Sequence, residues 1–454
     1  MGILPPLDVE DSLSDETAVP VFHSRLARAL DRPLFPWKKL IMGFAVGEYL
    51  LDTFLTLRQY RVLQKPKVPK VLEHEVTQEV FDKSQDYGRA KARFSLFNNL
   101  YGLVQNLAFI HFDVLPKMWD FAGDLLLRIA PEGYRGEICQ SIVFVIAFTV
   151  LNQALSLPST IYHTFVLEEK YGFNKQTPKL FVTDLIKSNI LTFLLIPPIL
   201  AGFLTIIQKT GNQFFFYLWL FAAGLQAFMI TVYPIFILPF FNKLSPLEPG
   251  ELKTGVEALA ASLKFPLQEL SKHIVLYDTL IEKSENSEVI AVLAHELGHW
   301  HEGHTTKRFG IIQLHFIYIF TLFSVFVNNA SLYSAFGFVA QRPIIIGFLL
   351  FSDVLTPTNS VIQLLMNILS RHDEFEADAF ASRLGYKAEL ARSLIKLQIQ
   401  NLSTMDADWM YASYHYSHPI LSERLGALGW TPSEKVSKVE EEPSTAKTTG
   451  RDEL

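Results

Sequence analysis

The sequence lacks several features that would point to other kinds of protein. Cys139 is its only cysteine, which excludes an intrachain disulfide and a zinc site built from thiolates. No glycine-rich loop follows a strand-like run, so no nucleotide site is expected. The net charge is only −6 and no basic stripe alternates with aromatic residues, so nucleic acid is not an expected partner. The polar N-terminus has no secretory apolar region, and insertion is expected to depend on the first membrane span.

Apolar residues are abundant and occur in long runs. Of 454 residues, 49% are hydrophobic and 37 are Phe, and the mean hydropathy is +0.21. This composition is typical of a polytopic membrane protein. Seven runs are close to the roughly 20 residues that a helix needs to cross the hydrocarbon core. They cover about 37–57, 94–116, 140–161, 189–207, 214–240, 309–328 and 343–368.

Polar residues inside these runs indicate a polar interior of the bundle. Acids inside a span cost about 2.5–3.5 kcal/mol on insertion scales and therefore rarely face lipid. The polar positions are Glu48, Asp52, Asp353, Asn98, Asn99 and Asn106. They are explained equally well by a wet chamber and by hydrogen bonds between helices without a cavity. Pro197 and Pro198 predict a kink in the fourth span.

Loop charges predict the orientation of the chain in the membrane. Nine Lys and Arg residues lie between spans one and two, and four lie between spans three and four. The loops on the other side carry fewer, which places the two basic loops in the cytosol. The N-terminal arm argues the other way, since it also contains basic residues. The expected topology has the N-terminus outside and the C-terminus in the cytosol.

One motif carries metal chemistry. The stretch from Ala291 to Trp300 contains His295-Glu296-Leu-Gly-His299 among good helix formers. Residues four apart share a helix face, so His295 and His299 can bind one Zn²⁺. Glu296 lies one residue further round and can reach a water on the metal, from which it would take a proton during attack on a carbonyl.

The chain divides into six segments around this motif. Residues 1–35 form a polar arm, 36–240 contain spans one to five, and 241–308 form a cytosolic segment with the His-Glu-x-x-His helix. Residues 309–368 contain spans six and seven, 369–430 form a second cytosolic segment, and 431–454 form a disordered tail. Lys272–Asp278 alternates enough to form a short strand. Two crossings separate the cytosolic segments, so both lie on one face and can share a metal.

The sequence resembles the type I CaaX prenyl proteases, which are integral-membrane zinc metalloproteases of the endoplasmic reticulum. Matching motifs run along most of the chain in the family's order, and only the two tails lie outside them. They are Phe54–Gln59, Phe81–Ser84, Glu169–Thr177, Leu238–Lys243, His295–Trp300, Glu374–Phe380, and Tyr416–Pro419 with Arg424.

The resemblance implies an all-α membrane protein. Seven transmembrane helices would surround a polar chamber, and a small cytosolic zinc-protease domain would contain a short sheet. It implies one Zn²⁺ per chain, prenylated CaaX proteins or peptides as substrates, and a monomer in the lipid bilayer. The expected membrane is that of the endoplasmic reticulum, with the inner nuclear membrane as a second location. The catalytic site would face the cytosol.

The resemblance also implies roles for individual residues. Glu374 matches the third zinc ligand, and Asp378, one turn further on, matches the acid that orients a ligating imidazole. Glu376 and Asp373 are rival ligands, although Glu376 lies about 200° round the helix from Glu374. His418 and Arg424 match residues that hold the substrate carbonyl and its developing negative charge. His301 and His304, by their helical positions, are interpreted as structural or surface residues.

In one place the sequence departs from the family. Family members carry a longer segment after Phe265-Pro266, with an edge strand along which substrate lies. Here only Leu267–Ser271 leads to Lys272. Three functions therefore stay open: a prenyl-protein endopeptidase, a membrane quality-control zinc metalloprotease, and an inactive scaffold that still binds zinc. The last four residues, Arg451-Asp-Glu-Leu454, resemble a luminal retrieval signal, which a cytosolic C-terminus would make coincidental.

Overall fold

The computed structural model describes residues 21–241, 245–265, 276 and 278–431, and within these ranges the regular structure is entirely helical. The predicted short strand falls almost wholly outside them. Its last residue, Asp278, begins a helix. The predicted disordered tail lies outside the described residues except for Thr431.

Eighteen α-helices can be bounded in the described ranges. They are α1 (Val21–Leu30), α2 (Trp37–Val62), α3 (Gln78–His111), α4 (Val114–Ile129), α5 (Glu137–Tyr162), α6 (Pro178–Thr210), α7 (Phe214–Val232), α8 (Leu238–Phe241), α9 (Glu251–Ser262), α10 (Asp278–Lys283), α11 (Asn286–His301), α12 (His304–Phe326), α13 (Ala330–Ala335), α14 (Ile344–Val354), α15 (Thr356–Arg383), α16 (Lys387–Gln400), α17 (Trp409–His415) and α18 (Leu421–Leu428). π-Helical turns, His163–Glu168 and Tyr233–Ile237, extend α5 and join α7 to α8. Short 3₁₀ turns cover Lys70–Leu72, Glu132–Tyr134 and Gly211–Gln213.

Four helical stretches of the described chain are long and apolar enough to cross a membrane, and the bent pair α14–α15 makes a fifth. The stretch Pro178–Phe241 has 64 residues, about 96 Å of helix and far more than one crossing requires. It folds back at Gly211–Gln213, so that Gly202 faces Phe221 and the Lys187 ammonium lies 3.3 Å from the Phe240 carbonyl oxygen. This stretch therefore holds the expected fourth and fifth spans as an antiparallel pair.

The expected second span is not among the helices that are apolar enough by composition to cross a membrane. Most of its residues lie on α3, which ends at His111, and its last residues lie in the first turn of α4. The first, third and sixth spans fall on α2, α5 and α12, and the seventh falls on α14–α15. The structure therefore shows a multi-pass helical bundle. The number of seven crossings stays a prediction.

A strong bend of the bundle lies in the seventh span. Helix α6 runs without a break through Pro197 and Pro198, and the kink predicted there stays a prediction. Helices α14 and α15 meet at 63° around Leu355. Pro357 stands in the first turn of α15, where its missing N–H leaves no helical bond unmade but prevents a continuous helix from α14.

The buried apolar residues form two separate cores, one in the membrane bundle and one in the metal-binding part. The first joins α2, α4, α5, α6, α7, α12, α13 and α14 around Phe144, Phe323 and Phe351. The second joins α9, α11, α16 and α18 with the segment Leu72–Phe81. The basic loop between spans one and two thus packs with both segments of the predicted protease domain, which places all three at the same end of the bundle.

Some polar residues of the spans line a cavity, and others form hydrogen bonds between helices. Asp353 and Asn106 line a cavity of about 310 Å³ between α3, α4, α5 and α14. Other polar residues pair across helices: Asn99 donates to Asp52, and Ser159 donates to Asn98 at 2.5 Å. The bundle therefore contains a cavity that polar and apolar residues line together, and it contains interhelical hydrogen bonds.

Candidate metal centre and active site

Helix α11 presents the first two candidate ligands. Its N-terminus is fixed because the Glu285 N–H donates to the buried Glu288 carboxylate, which also accepts from the Lys396 ammonium at 2.8 Å. One turn apart near its other end, His295 and His299 have ring centroids 4.9 Å apart. The four-residue spacing therefore places both imidazoles on one face, as the sequence predicts.

Helix α15 brings the third candidate ligand to that face. A Cβ atom added to Gly298 would lie 3.2 Å from Ala377 Cα and 3.3 Å from the Ala377 carbonyl oxygen. The two helix backbones thus approach each other as closely as they do because residue 298 has no side chain. Glu374 lies about one turn before Ala377 and is delivered between the two histidines.

The three side chains converge through the atoms that a metal would need. His295 Nε2 lies 3.4 Å from Glu374 Oε2, and His299 Nε2 lies 3.3 Å from Glu374 Oε1. Two ligand atoms each about 2.05 Å from a tetrahedral zinc ion would be about 3.3 Å apart. Glu374 Oε2 is buried and has no hydrogen-bond partner among the described residues. Such an atom is costly unless something binds it, so the donor set fits a divalent zinc ion.

Asp378 and Arg424 hold the outer side of His295. His295 Nδ1 lies 2.9 Å from Asp378 Oδ1. Arg424 donates to both Asp378 oxygens, from Nε at 2.8 Å and from Nη2 at 2.6 Å. This two-point contact from α18 fixes the carboxylate, and the carboxylate in turn fixes the imidazole so that Nε2 points at Glu374.

The electrostatics of the cluster keep the two carboxylates ionised. Burial acts to raise the pKa of Glu374, but the adjacent imidazoles of His295 and His299 outweigh it and lower that pKa. Burial likewise opposes ionisation of Asp378, and the hydrogen bonds from Arg424 and His295 lower its pKa. For His295, burial lowers the pKa while the bonds with Asp378 and Glu374 raise it, and the net direction is upward. A metal ion would displace that proton.

The remaining predicted site residues are His418, Arg424 and Glu296, of which the first two contact Glu374. His418 is 64% exposed, and its Nε2 lies 3.2 Å from Glu374 Oε1. Arg424 Nη1 lies 3.7 Å from Glu374 Oε2, so this nitrogen faces the site while the others bind Asp378. Glu296 is exposed and has no hydrogen bond or ion pair within the described ranges. The rival ligands lie elsewhere: Glu376 contacts His304, and Asp373 contacts Lys307 and Arg308.

His304 is not a surface residue, and it lies closer to the metal cluster than its helical position suggested. It is 2% exposed, and its Nδ1 lies 2.9 Å from His299 Nδ1. The helical positions mislead because α11 ends at His301 and the chain turns at Gly303, whose φ of 72° is left-handed. His304 then starts α12 and returns to the cluster. Gly303, the glycine immediately before His304, could have signalled this turn.

A multi-pass helical bundle with a His-Glu-x-x-His helix packed against an acidic helix defines the class of membrane metallopeptidases. Residues 59–243 match the family model described as CAAX prenyl protease N-terminal, five membrane helices, and residues 267–430 match peptidase family M48. The chain belongs to the CAAX prenyl protease 1 family of M48 metallopeptidases.

Individual relatives agree over nearly their full lengths. "CAAX prenyl protease 1" of Saccharomyces cerevisiae is 42% identical over 448 residues, which cover 90% of this chain and 99% of the relative. The "CAAX prenyl protease 1 homolog" of Homo sapiens is 35% identical over 457 residues, with 87% and 96% covered. The crystal structure of S. mikatae Ste24p is 42% identical, covers 88% of this chain and 100% of that chain, and has a TM-score of 0.84.

The match with the Saccharomyces cerevisiae relative also shows a difference in length. Ninety per cent of 454 residues is about 409 residues, whereas the match extends over 448 residues. The relative therefore has about 39 residues, 448 less 409, without a counterpart here. A shortened segment of this kind is expected before Lys272, in residues outside the described ranges.

Proposed function

We propose that this protein is a zinc-dependent endopeptidase that removes the C-terminal -aaX tripeptide from prenylated CaaX proteins. The observation that carries the proposal is the cluster of His295, His299 and Glu374, whose ligand atoms all lie within 4.8 Å of one another, in a motif that also contains Glu296. The relatives named CAAX prenyl protease 1 support the substrate class, since they match over nearly the whole chain.

Each residue of the cluster has a role in the proposed reaction. His295, His299 and Glu374 would hold a zinc ion, and Asp378 with Arg424 orients His295. A bound zinc ion would polarise the scissile carbonyl and acidify a water molecule. Glu296 takes the proton of the attacking water and passes it to the leaving amine. His418, exposed beside Glu374, donates to the substrate carbonyl oxygen as negative charge develops on it, assisted by Arg424 Nη1.

The fold supports a cytosolic site in the endoplasmic reticulum membrane. The basic loop between spans one and two shares a hydrophobic core with α9, α11, α16 and α18, so it lies on the same side as the metal centre. The loop after span three lies there too, since Tyr87 donates to Glu168 at 2.8 Å. Basic loops face the cytosol. A monomer with seven spans, a chamber and the metal centre at its cytosolic end is the architecture proposed.

The shortened Leu267–Ser271 segment bears on rate rather than on metal binding. The ligands lie on α11 and α15, whereas an extended peptide substrate needs a sheet edge for its main-chain hydrogen bonds. Holding the substrate in the reactive position can lower the activation free energy by about 7–11 kcal/mol in the best cases. The chain as it stands is therefore expected to bind zinc and to cleave slowly.

The test uses the purified full-length chain in detergent with one equivalent of zinc. Three substrates are compared: a farnesylated CaaX peptide, the same peptide without the prenyl group, and an unfolded membrane protein. Cleavage after the prenylated Cys of the first substrate alone is expected. Preferential degradation of the unfolded protein would establish a quality-control protease instead. Zinc binding without cleavage, persisting after a strand segment is restored before Ser271, would establish an inactive scaffold.

A further inference from the structure

The histidine that begins α12 makes a contact that the proposed reaction does not use. His304 lies between the candidate ligand His299 and the carboxylate of Glu376. Its Nδ1 is 2.9 Å from His299 Nδ1, and its Nε2 is 2.9 Å from Glu376 Oε2. Its side chain is 3% exposed, whereas that of Glu376 is 45% exposed, so the His304 ring is buried and the far end of the chain of contacts reaches the surface.

The proton positions along this chain of contacts follow from the proposed zinc site. His299 presents Nε2 to the ligand set, since that atom lies 3.3 Å from Glu374 Oε1. A neutral imidazole that binds a metal through Nε2 carries its hydrogen on Nδ1 and donates from there. His304 Nδ1 must then accept this bond, so the hydrogen of His304 lies on Nε2. Glu376 accepts the bond from that nitrogen.

We propose that His304 and Glu376 are positioning residues that fix the orientation and tautomer of the zinc ligand His299. The arrangement parallels the one around His295, where Asp378 acts directly at 2.9 Å. Both histidines of the motif are thus held by carboxylates, one directly and the other through a second imidazole. The inference rests on the proposed zinc site and adds the means by which its second histidine is held.

Asp373 explains why the cluster is a relay rather than a second metal site. His304, Asp373 and Glu376 also lie close enough together to hold an ion. However, the Lys307 ammonium lies 3.1 Å from Asp373 Oδ1, and Arg308 Nε lies 3.4 Å from Asp373 Oδ2. Two cations already neutralise this carboxylate, which disfavours a third positive ion beside it.

Two substitutions of similar volume separate a hydrogen-bonding role from packing. In His304→Gln, the amide oxygen can accept from His299 and the amide nitrogen can donate to Glu376, as the inferred tautomer requires. His304→Leu fills the site and makes neither bond. The half-exposed His301 on the last turn of α11 supplies the control, His301→Leu. Zinc affinity is measured in the full-length proteins by competition with a chelator, together with zinc content and the melting temperature of the metal-free forms.

His304→Leu is expected to weaken zinc binding by about 10- to 100-fold, the usual cost of losing a group that orients a ligand. His304→Gln and His301→Leu should bind zinc like the parent. The visible spectrum of the cobalt-substituted protein should change in His304→Leu and be restored in His304→Gln. Equal losses in His304→Leu and His304→Gln would overturn the relay in favour of packing. Two zinc ions in the parent, one of them lost in His304→Leu, would overturn it in favour of a second metal site.

A second variant keeps the test informative if His304→Leu does not fold. Glu376 is 45% exposed, so Glu376→Ala removes the end of the relay without opening the core. Zinc affinity equal to the parent's in that variant would overturn the relay. A parent protein that binds no zinc would instead refute the proposed function, so the two failures are distinguishable.

Discussion

Gly298 determines how closely the two ligand-bearing helices approach, and Gly298→Ala separates two opposing effects. Replacing a glycine by alanine within a helix stabilises it by about 0.8–1.0 kcal/mol through propensity alone. The new Cβ, however, would lie 3.2 Å from Ala377 Cα and 3.3 Å from the Ala377 carbonyl oxygen. Both are backbone atoms that can move only with α15, and overpacking of this kind costs about 1–3 kcal/mol.

Gly298→Ala is expected to change the affinity for zinc more than the stability of the fold. Relief of the contact requires α15 to shift by a few tenths of an ångström, and Glu374 shifts with it. Metal–ligand distances tolerate deviations of only about 0.2 Å. Zinc affinity should therefore fall by at least about tenfold, equivalent to about 1.4 kcal/mol. The melting temperature of the metal-free protein should change little, because the propensity gain offsets part of the overpacking.

Gly426 on α18 supplies the matched control, since a Cβ added there meets nothing within 4 Å. Gly426→Ala should raise the melting temperature and leave zinc affinity unchanged. Both variants and the parent are compared by competitive zinc titration and by thermal unfolding with and without metal. Unchanged zinc affinity in Gly298→Ala would refute the argument that this glycine sets the spacing of the site.

Four further outcomes are expected. His295→Ala should lose zinc, whereas Glu296→Gln should retain it and lose about 10²–10⁴-fold in turnover, as measured by zinc content and peptide cleavage; zinc loss in the second variant would make residue 296 a ligand. Asp378→Asn should weaken zinc binding by about 10- to 100-fold in a chelator titration, and parental affinity would contradict its orienting role. A glycosylation acceptor appended after residue 454 should stay unmodified in microsomes, since efficient modification would reverse the proposed topology. A strand segment inserted between Leu270 and Ser271 should raise the cleavage rate of a prenylated peptide at unchanged zinc affinity, and rapid cleavage by the unmodified chain would show that the segment is dispensable.

Much of the helical framework and the convergence of the metal cluster could be predicted from the sequence. Hydropathy alone places most of the spans, because a helix in lipid must be long and apolar whatever its neighbours are. The spacing of His295 and His299 predicts a shared face because helical geometry is local. Glu374 lies 75 residues beyond His299, and the resemblance to a family was needed to single it out from Asp373 and Glu376.

The features that the sequence did not predict arise mainly where helices end or where two helices meet. His304 was misplaced because α11 was extended past His301, although Gly303 breaks it. The strong bend near Pro357 was also not predicted, since a proline in a first helical turn starts a new helix. The close approach at Gly298 arises from contact between two helices and has no local signal.

These observations separate metal binding from substrate binding within one site. The zinc ligands depend on contacts between helices that the described residues contain: Gly298 against Ala377, Arg424 on Asp378, and His304 on His299. None of these contacts involves residues 266–275. Main-chain pairing with an extended peptide, in contrast, depends on a strand that those residues would have to supply or adjoin. A change in that segment can therefore reduce cleavage while leaving the metal centre intact, and zinc affinity and turnover have to be measured separately in every variant.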